Sequence, residues 1–156
     1  MITRRQAIQL SASLMAIASI GTRASAPGVI QRPIPSSGEM IPVIGMGTSR
    51  TFDAGADPAT MARLADVMQA FFEGGGTVID SSPMYGEAES RVGDVLRGMR
   101  TVPPLFAATK VWIEGREEGI AQMQQSAQRM NGERFDLIAV HDRVGWGTQL
   151  ATLRMW

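Results

Sequence analysis

Four short apolar runs, each followed by apolar residues at helical spacing, set the main limit on what this chain can fold into. The first run is Ile41 to Met46. Asp57-Pro58 then opens a helix, with an acid to cap it and a proline at its first position, and Met61, Leu64, Met68 and Phe71 follow at helical spacing. Gly74-Gly75-Gly76 ends it. Thr77 to Ile79 predicts a second strand, and Val92, Val95, Leu96 and Met99 a second helix. Leu105 to Thr109 reads as a third strand, and Ile120, Met123, Ala127 and Met130 as a third helix that stops at Asn131-Gly132. FDLIAVH, residues 135 to 141, is the fourth strand; a fourth helix begins at Thr148, with Trp156 inside it. Ahead of all these, VIQRPIPSSGEMIPVIGMG predicts an extended pair around the Ser36-Ser37-Gly38 turn.

Strands alternating with helices imply an α/β fold with parallel strands and right-handed crossovers. Two architectures fit, an open doubly wound sheet and a (β/α)8 barrel. Both place their chemistry at the C-terminal ends of the strands. The segment GMGTSR after the first strand has two glycines and no third one opening a helix, so the dinucleotide-binding open sheet is weakly supported.

The polar residues at those strand ends are an acid, a phenol, an amine and an imidazole. Asp80 ends the second strand, with Tyr85, the only tyrosine, just beyond; Lys110 ends the third, and His141, the only histidine, ends the fourth. Each alone has an ordinary structural explanation: a helix cap, a packing residue with a wet hydroxyl, a solvated charge, a satisfied core histidine. At successive strand ends they point jointly to a site. A free phenol holds its proton until about pH 10, and a neighbouring ammonium favours the phenolate. An aspartate keeps the ammonium charged and aimed, and an imidazole can orient a substrate oxygen. Such a group can protonate a carbonyl oxygen while hydride reaches the carbon.

FFEGGGTVIDSSPMYGEAESRVGDVL, AATKV and DLIAVHD resemble the aldo-keto reductases, (β/α)8 barrels that reduce aldehydes and ketones with NADPH. The pattern D-S-S-x-x-Y-G-x-x-E over residues 80 to 89 is the specific part, and the resemblance runs from about Gly38 to Trp156. It implies Tyr85 as general acid, Lys110 as the cation that assists it, Asp80 as the residue holding Lys110, and His141 as the group orienting the carbonyl. Gly47 and Thr48, with Asp80, would meet the nicotinamide side of NADPH/NADP, and Trp112 would line the pocket of a small-molecule carbonyl substrate beside His141. A barrel of this kind takes eight strands and typically about 250 residues. Residues 27–156 therefore read as the first four βα units, a half-barrel from a truncated gene product or from a longer reading frame. Three readings stay open: the N-terminal half of a reductase, an inactive half-barrel remnant serving as a structural or binding piece, and an unrelated small-molecule binding module. Open edges around Val43 and Val140 invite self-association.

The 15 basic and 15 acidic residues balance, which gives no reason to expect nucleic acid or an anionic membrane surface as partner. With no cysteine and one histidine, disulfides, thiolate metal sites and multi-histidine metal sites are excluded. Residues 1–26, MITRRQAIQLSASLMAIASIGTRASA, have the layout of an export signal: paired Arg4 and Arg5, a soft apolar stretch too short for a stable membrane anchor, then Ala24-Ser25-Ala26. TRRQAI resembles a twin-arginine signal, which implies export as a folded protein, to the periplasm in a bacterium. The alternative is a basic N-terminal extension on a cytoplasmic protein. The signal reading predicts that a reporter fused after Ala26 is exported, and that Arg4→Lys with Arg5→Lys stops it. Cell fractionation checks this, and a doubly substituted fusion exported normally would refute the twin-arginine reading.

Overall fold

The computed structural model describes residues 28–132 and 134–155, and the expected export signal lies outside them. The first element is a hairpin. β1 (Gln31–Pro33) and β2 (Met40–Pro42) pair antiparallel, joined by a turn in which Gly38 takes a φ of 75°. Glycine adopts that left-handed value without the cost of a Cβ clash.

The run Ile41 to Met46 does not form one strand. Its start belongs to the hairpin, and Val43 prolongs the pairing by donating its N–H to the Ile30 carbonyl at 2.9 Å. Its end, β3 (Met46–Gly47), joins a separate parallel sheet. Between them Gly45 backs onto the next strand, where an added Cβ would lie 3.0 Å from Val78 Cγ1. Two sheets compete for one apolar run and each takes an end. The first edge of the parallel sheet is therefore Met46–Gly47 and not Val43.

The sheet continues with β4 (Val78–Asp80), β5 (Phe106–Val111) and β6 (Leu137–Val140), and its spatial order is the chain order, β3-β4-β5-β6. The helices are α1 (Pro58–Glu73), α2 (Ala88–Gly98), α3 (Arg116–Arg129) and α4 (Trp146–Leu153). The fourth begins two residues before Thr148, because Gly145 turns the chain at a φ of 56°, and it ends at Leu153. Each helix packs on the next, α1 on α2, α2 on α3 and α3 on α4. A doubly wound sheet reverses strand order at a switch point. These four strands have none, so the fold is half of a (β/α)8 barrel.

Alternation along the strands divides the sheet into two faces. Ile79, Thr109 and Val111 turn toward the helices and are buried. Val78, Asp80, Phe106, Ala108 and Leu137 turn inward and, with Ile34 and Ile41 of the hairpin, line a cavity of about 530 Å³. The core lies on the helix side, where Phe52, Leu64, Met68, Ile79, Val92, Val95, Leu96 and Met130 form one buried cluster. Asp57 caps α1 as expected, its Oδ1 accepting from the Thr60 N–H at 3.0 Å. That bond, then one from the Thr60 side chain, holds the Asp57 carboxyl below the ordinary carboxylate range. Its contribution is thus present above the unfolded-state pKa and lost as pH falls through the folded-state value.

Gly93 of α2 sits directly against the backbone at the end of α3. An added Cβ there would run into the Arg129 carbonyl oxygen and lie 2.9 Å from its carbon. Gly93→Ala should therefore lower unfolding stability by roughly 1–3 kcal/mol, the usual cost of overpacking. Gly98→Ala, where an added Cβ meets nothing within 4 Å, should be neutral or stabilise by about 0.4–1 kcal/mol. Urea midpoints of the two variants check the contrast.

Candidate active site

The geometry starts from strand register. Asp80 pairs with Ala108, so Lys110 lies two residues further along β5 on the same inward face. Its side chain reaches back over the end of β4. Nζ donates to Asp80 Oδ1 at 2.8 Å, to Asp80 Oδ2 at 2.7 Å and to the Ser81 carbonyl at 2.7 Å. A lysine ammonium has three N–H donors, so these bonds use all of them. The Lys110 side chain is 15% exposed, while Asp80 remains 45% exposed.

After Asp80 the two serines turn the chain. Ser81 and Ser82 are buried; the Tyr85 N–H donates to the Ser82 carbonyl at 3.0 Å, and Gly86 follows at a φ of 55°. Asp53 accepts from the Glu87 N–H at 3.1 Å, and a Cβ at Gly86 would run into that same carboxylate. The turn thereby carries the Tyr85 ring back over the strand ends. Lys110 Nζ lies over the ring face, 5.0 Å from its centroid. His141 meets the ring edge-on, with centroids 5.8 Å apart and planes at 86°.

His141 lies one residue past β6, in a 3₁₀ turn over His141–Arg143. The next two residues are left-handed without being glycine, Asp142 at a φ of 51° and Arg143 at 58°. Each costs roughly 1–2 kcal/mol, and such strain gathers at functional sites. Asp142 Oδ2 is 3.1 Å from His141 Nδ1 but outside hydrogen-bonding geometry, so Nδ1 is buried without a partner. Packing against Tyr85 orients this ring.

Asp80, Tyr85, Lys110 and His141 are thus brought together; Gly47 pairs with Asp80 across the strands, Thr48 lies behind it, and Trp112 sits on the loop past β5. Gly47 is exposed at the end of β3, and an added Cβ there meets nothing within 4 Å. Thr48 is fully buried, with Oγ1 at 3.0 Å from the Asp80 carbonyl oxygen and 2.9 Å from Ser81 Oγ. Its side chain braces the end of β4, which leaves only the backbone here to meet a cofactor. Trp112 is 41% exposed just past β5. Its backbone N–H donates to Gln122 Oε1 at 2.6 Å, and buried Gln149 donates to the Ile113 and Gly115 carbonyls at 2.9 and 2.6 Å, fixing the loop that carries the indole.

Sequence reasoning gave no role to Glu89, the acid that closes the D-S-S-x-x-Y-G-x-x-E pattern. It is 1% exposed and joins α2 to β5 and α3. Its place in that pattern was the available signal. Among the described residues no cluster of histidine and acidic side chains could hold a metal ion, and no helix is long and apolar enough to cross a membrane.

Known proteins similar to this chain agree on one family. The sequence model of the aldo/keto reductase family matches residues 43–155. The chain is 32% identical over 114 residues to the methylglyoxal reductase YeaE of Escherichia coli (strain K12), a match spanning 71% of this chain and 39% of that protein. Its fold resembles an aldo-keto reductase from Klebsiella pneumoniae solved with NADPH, at TM-score 0.62 and 21% identity over 81% of this chain and 47% of the other. It also resembles the Bombyx mori aldo-keto reductase AKR2E4 solved with NADP, at TM-score 0.60 and 20% identity over 83% and 48%. The chain therefore spans half or less of the length of these relatives. Domain match, sequence identity and strand order converge: this chain belongs to the aldo/keto reductase family.

Proposed function

We propose that this half-barrel carries the proton-transfer side of an NADPH-dependent carbonyl reduction, with Tyr85 as general acid. The observation that supports it most is the Lys110 ammonium, pinned by both oxygens of Asp80 and lying over the Tyr85 ring with His141 at the ring edge. A small carbonyl substrate places its oxygen between the phenol and the imidazole. His141 donates a hydrogen bond that aims the oxygen, and the Tyr85 O–H transfers its proton as the C–O bond becomes an alcohol. The phenolate left behind regains a proton from water. Because the three N–H donors of Lys110 are already used, it acts on the phenol through its charge. Asp80 offsets part of that charge and, in exchange, fixes where it sits.

The residues present fit the nicotinamide end of the cofactor. Gly47 leaves open space where a side chain would stand, and the Asp80 carboxylate is half exposed on the same inward face. Gly47 and Asp80 would hold that ring, with Thr48 bracing Asp80 from behind. When bound, NADPH supplies the hydride for the carbonyl carbon.

The open side of the sheet favours a second reading for the chain on its own. Leu137, on the inward face of β6, is 52% exposed, and the β3 edge is two residues long. In this reading the half-barrel acts only once another segment or another copy covers that face and its edges.

The first reading is tested in a protein that carries this half together with the strands that complete its barrel. Methylglyoxal is the first carbonyl to assay, since the Escherichia coli relative is named for reducing it. Tyr85→Phe should lower turnover by roughly 10²–10⁴-fold, the range of general acid catalysis, and leave NADPH affinity nearly unchanged by fluorescence titration. Retention of more than about a tenth of the turnover would mean that another group is the acid.

A further inference from the structure

We propose that Glu89 is a positioning residue, and that its bond to Thr109 sets the spacing of the Tyr85 phenol and the Lys110 ammonium. The inference rests on the reading of those two groups as the acid and its cation. Glu89 is a carboxylate with 1% exposure, in the first turn of α2. A charge so deeply buried is costly unless fully partnered, and an apolar residue would fill the same volume with less penalty. Its partners are complete. Oε1 accepts from Thr109 Oγ1 at 2.7 Å, Oε2 accepts from Ser126 Oγ at 3.0 Å, and Arg129 lies 3.7 Å from Oε2. The positive end of the helix adds to its stabilisation.

What the carboxylate contributes beyond filling space is a join between two parts of the site. Tyr85 stands four positions before Glu89, in the turn that leads into α2, and its carbonyl accepts from the Ala88 N–H at 3.0 Å. Thr109 is fully buried and precedes Lys110 on β5, so its hydroxyl faces the helices while Lys110 faces inward. The connections close a ring: phenol, first turn of α2, Glu89, Thr109, Lys110, and back across 5.0 Å to the phenol ring. A shift of α2 along the sheet would carry the phenol away from the ammonium, and the Glu89–Thr109 bond opposes that shift from the buried side. The Ser126 and Arg129 bonds tie the same carboxylate to α3, which does not carry a member of the site.

The chain has one tyrosine, one lysine and one histidine, so selective isotope labelling of these residue types in the full chain gives unambiguous nuclear Overhauser contacts among Tyr85, Lys110 and His141. The unsubstituted chain should show a contact between the Tyr85 ring and the Lys110 side chain. Thr109→Val, which keeps the shape and removes the hydroxyl, should lose it, and Thr109→Ser should retain it. Ser126→Ala, which removes a bond of similar burial on the α3 side, should leave the contact in place. Glu89→Gln, whose amide oxygen still accepts from Thr109, should also keep it and decides the matter if Thr109→Val fails to fold. A contact preserved in Thr109→Val, or lost equally in Ser126→Ala, or lost in Glu89→Gln, would overturn the positioning role. Absence of the Tyr85–Lys110 contact in the unsubstituted chain would instead overturn the site on which the inference rests.

Discussion

The parallel register of β4 and β5 is the constraint on which the site depends. Pairing Asp80 with Ala108 places Lys110 two residues beyond, on the same face and past the end of the shorter strand. Only from there can its ammonium fold back onto both oxygens of Asp80 and the Ser81 carbonyl. A slip of one residue would turn Lys110 into the helix layer and bring Thr109 inward. That slip would bury an unpaired ammonium and strip Glu89 of its Thr109 partner, so the buried polar groups on both faces select one register.

Around that register the helix layer works as a set of close joins. Gly93 lets α2 and α3 touch backbone to backbone, and Gly119 makes room for Gln149 to cross from α4 to the loop after β5. Glu89 ties α2 to β5 and α3 in one place. These joins lie on the outer face, yet two of them end on a segment that carries a rim residue: Glu89 on the Lys110 strand and Gln149 on the Trp112 loop. The site is held from behind, which leaves its inward side open.

Much of this was legible in the sequence because period and turn chemistry are local. Asp57-Pro58, the glycine run at 74 to 76 and the spacing of Leu64, Met68 and Phe71 locate α1 without reference to anything distant. Other features were not legible. Ile41 to Met46 is apolar throughout, and nothing local says that its two ends serve different sheets; the choice is made by β1 on one side and Val78 on the other. Thr48 stands next to a plausible cofactor residue, but whether its hydroxyl faces a ligand or the underside of Asp80 depends on where Ser81 comes to lie. Glu89 reads as one more helix acid among several, and its burial follows from where α3 packs.

By itself the sequence determined the order of strands and helices and the placement of Asp80, Tyr85, Lys110 and His141 at or just past the strand ends, because the pattern of apolar residues fixes where each element stops. The tertiary structure decided which of those ends meet, and how. Strand order chose a barrel half over an open sheet, and register set Lys110 on Asp80. The turn braced by Asp53 laid the Tyr85 ring under the ammonium and against His141. The physical reason is that hydrogen-bond partners and ring contacts here span 25 or more residues of chain, between atoms whose separation is set by packing and not by spacing along the backbone.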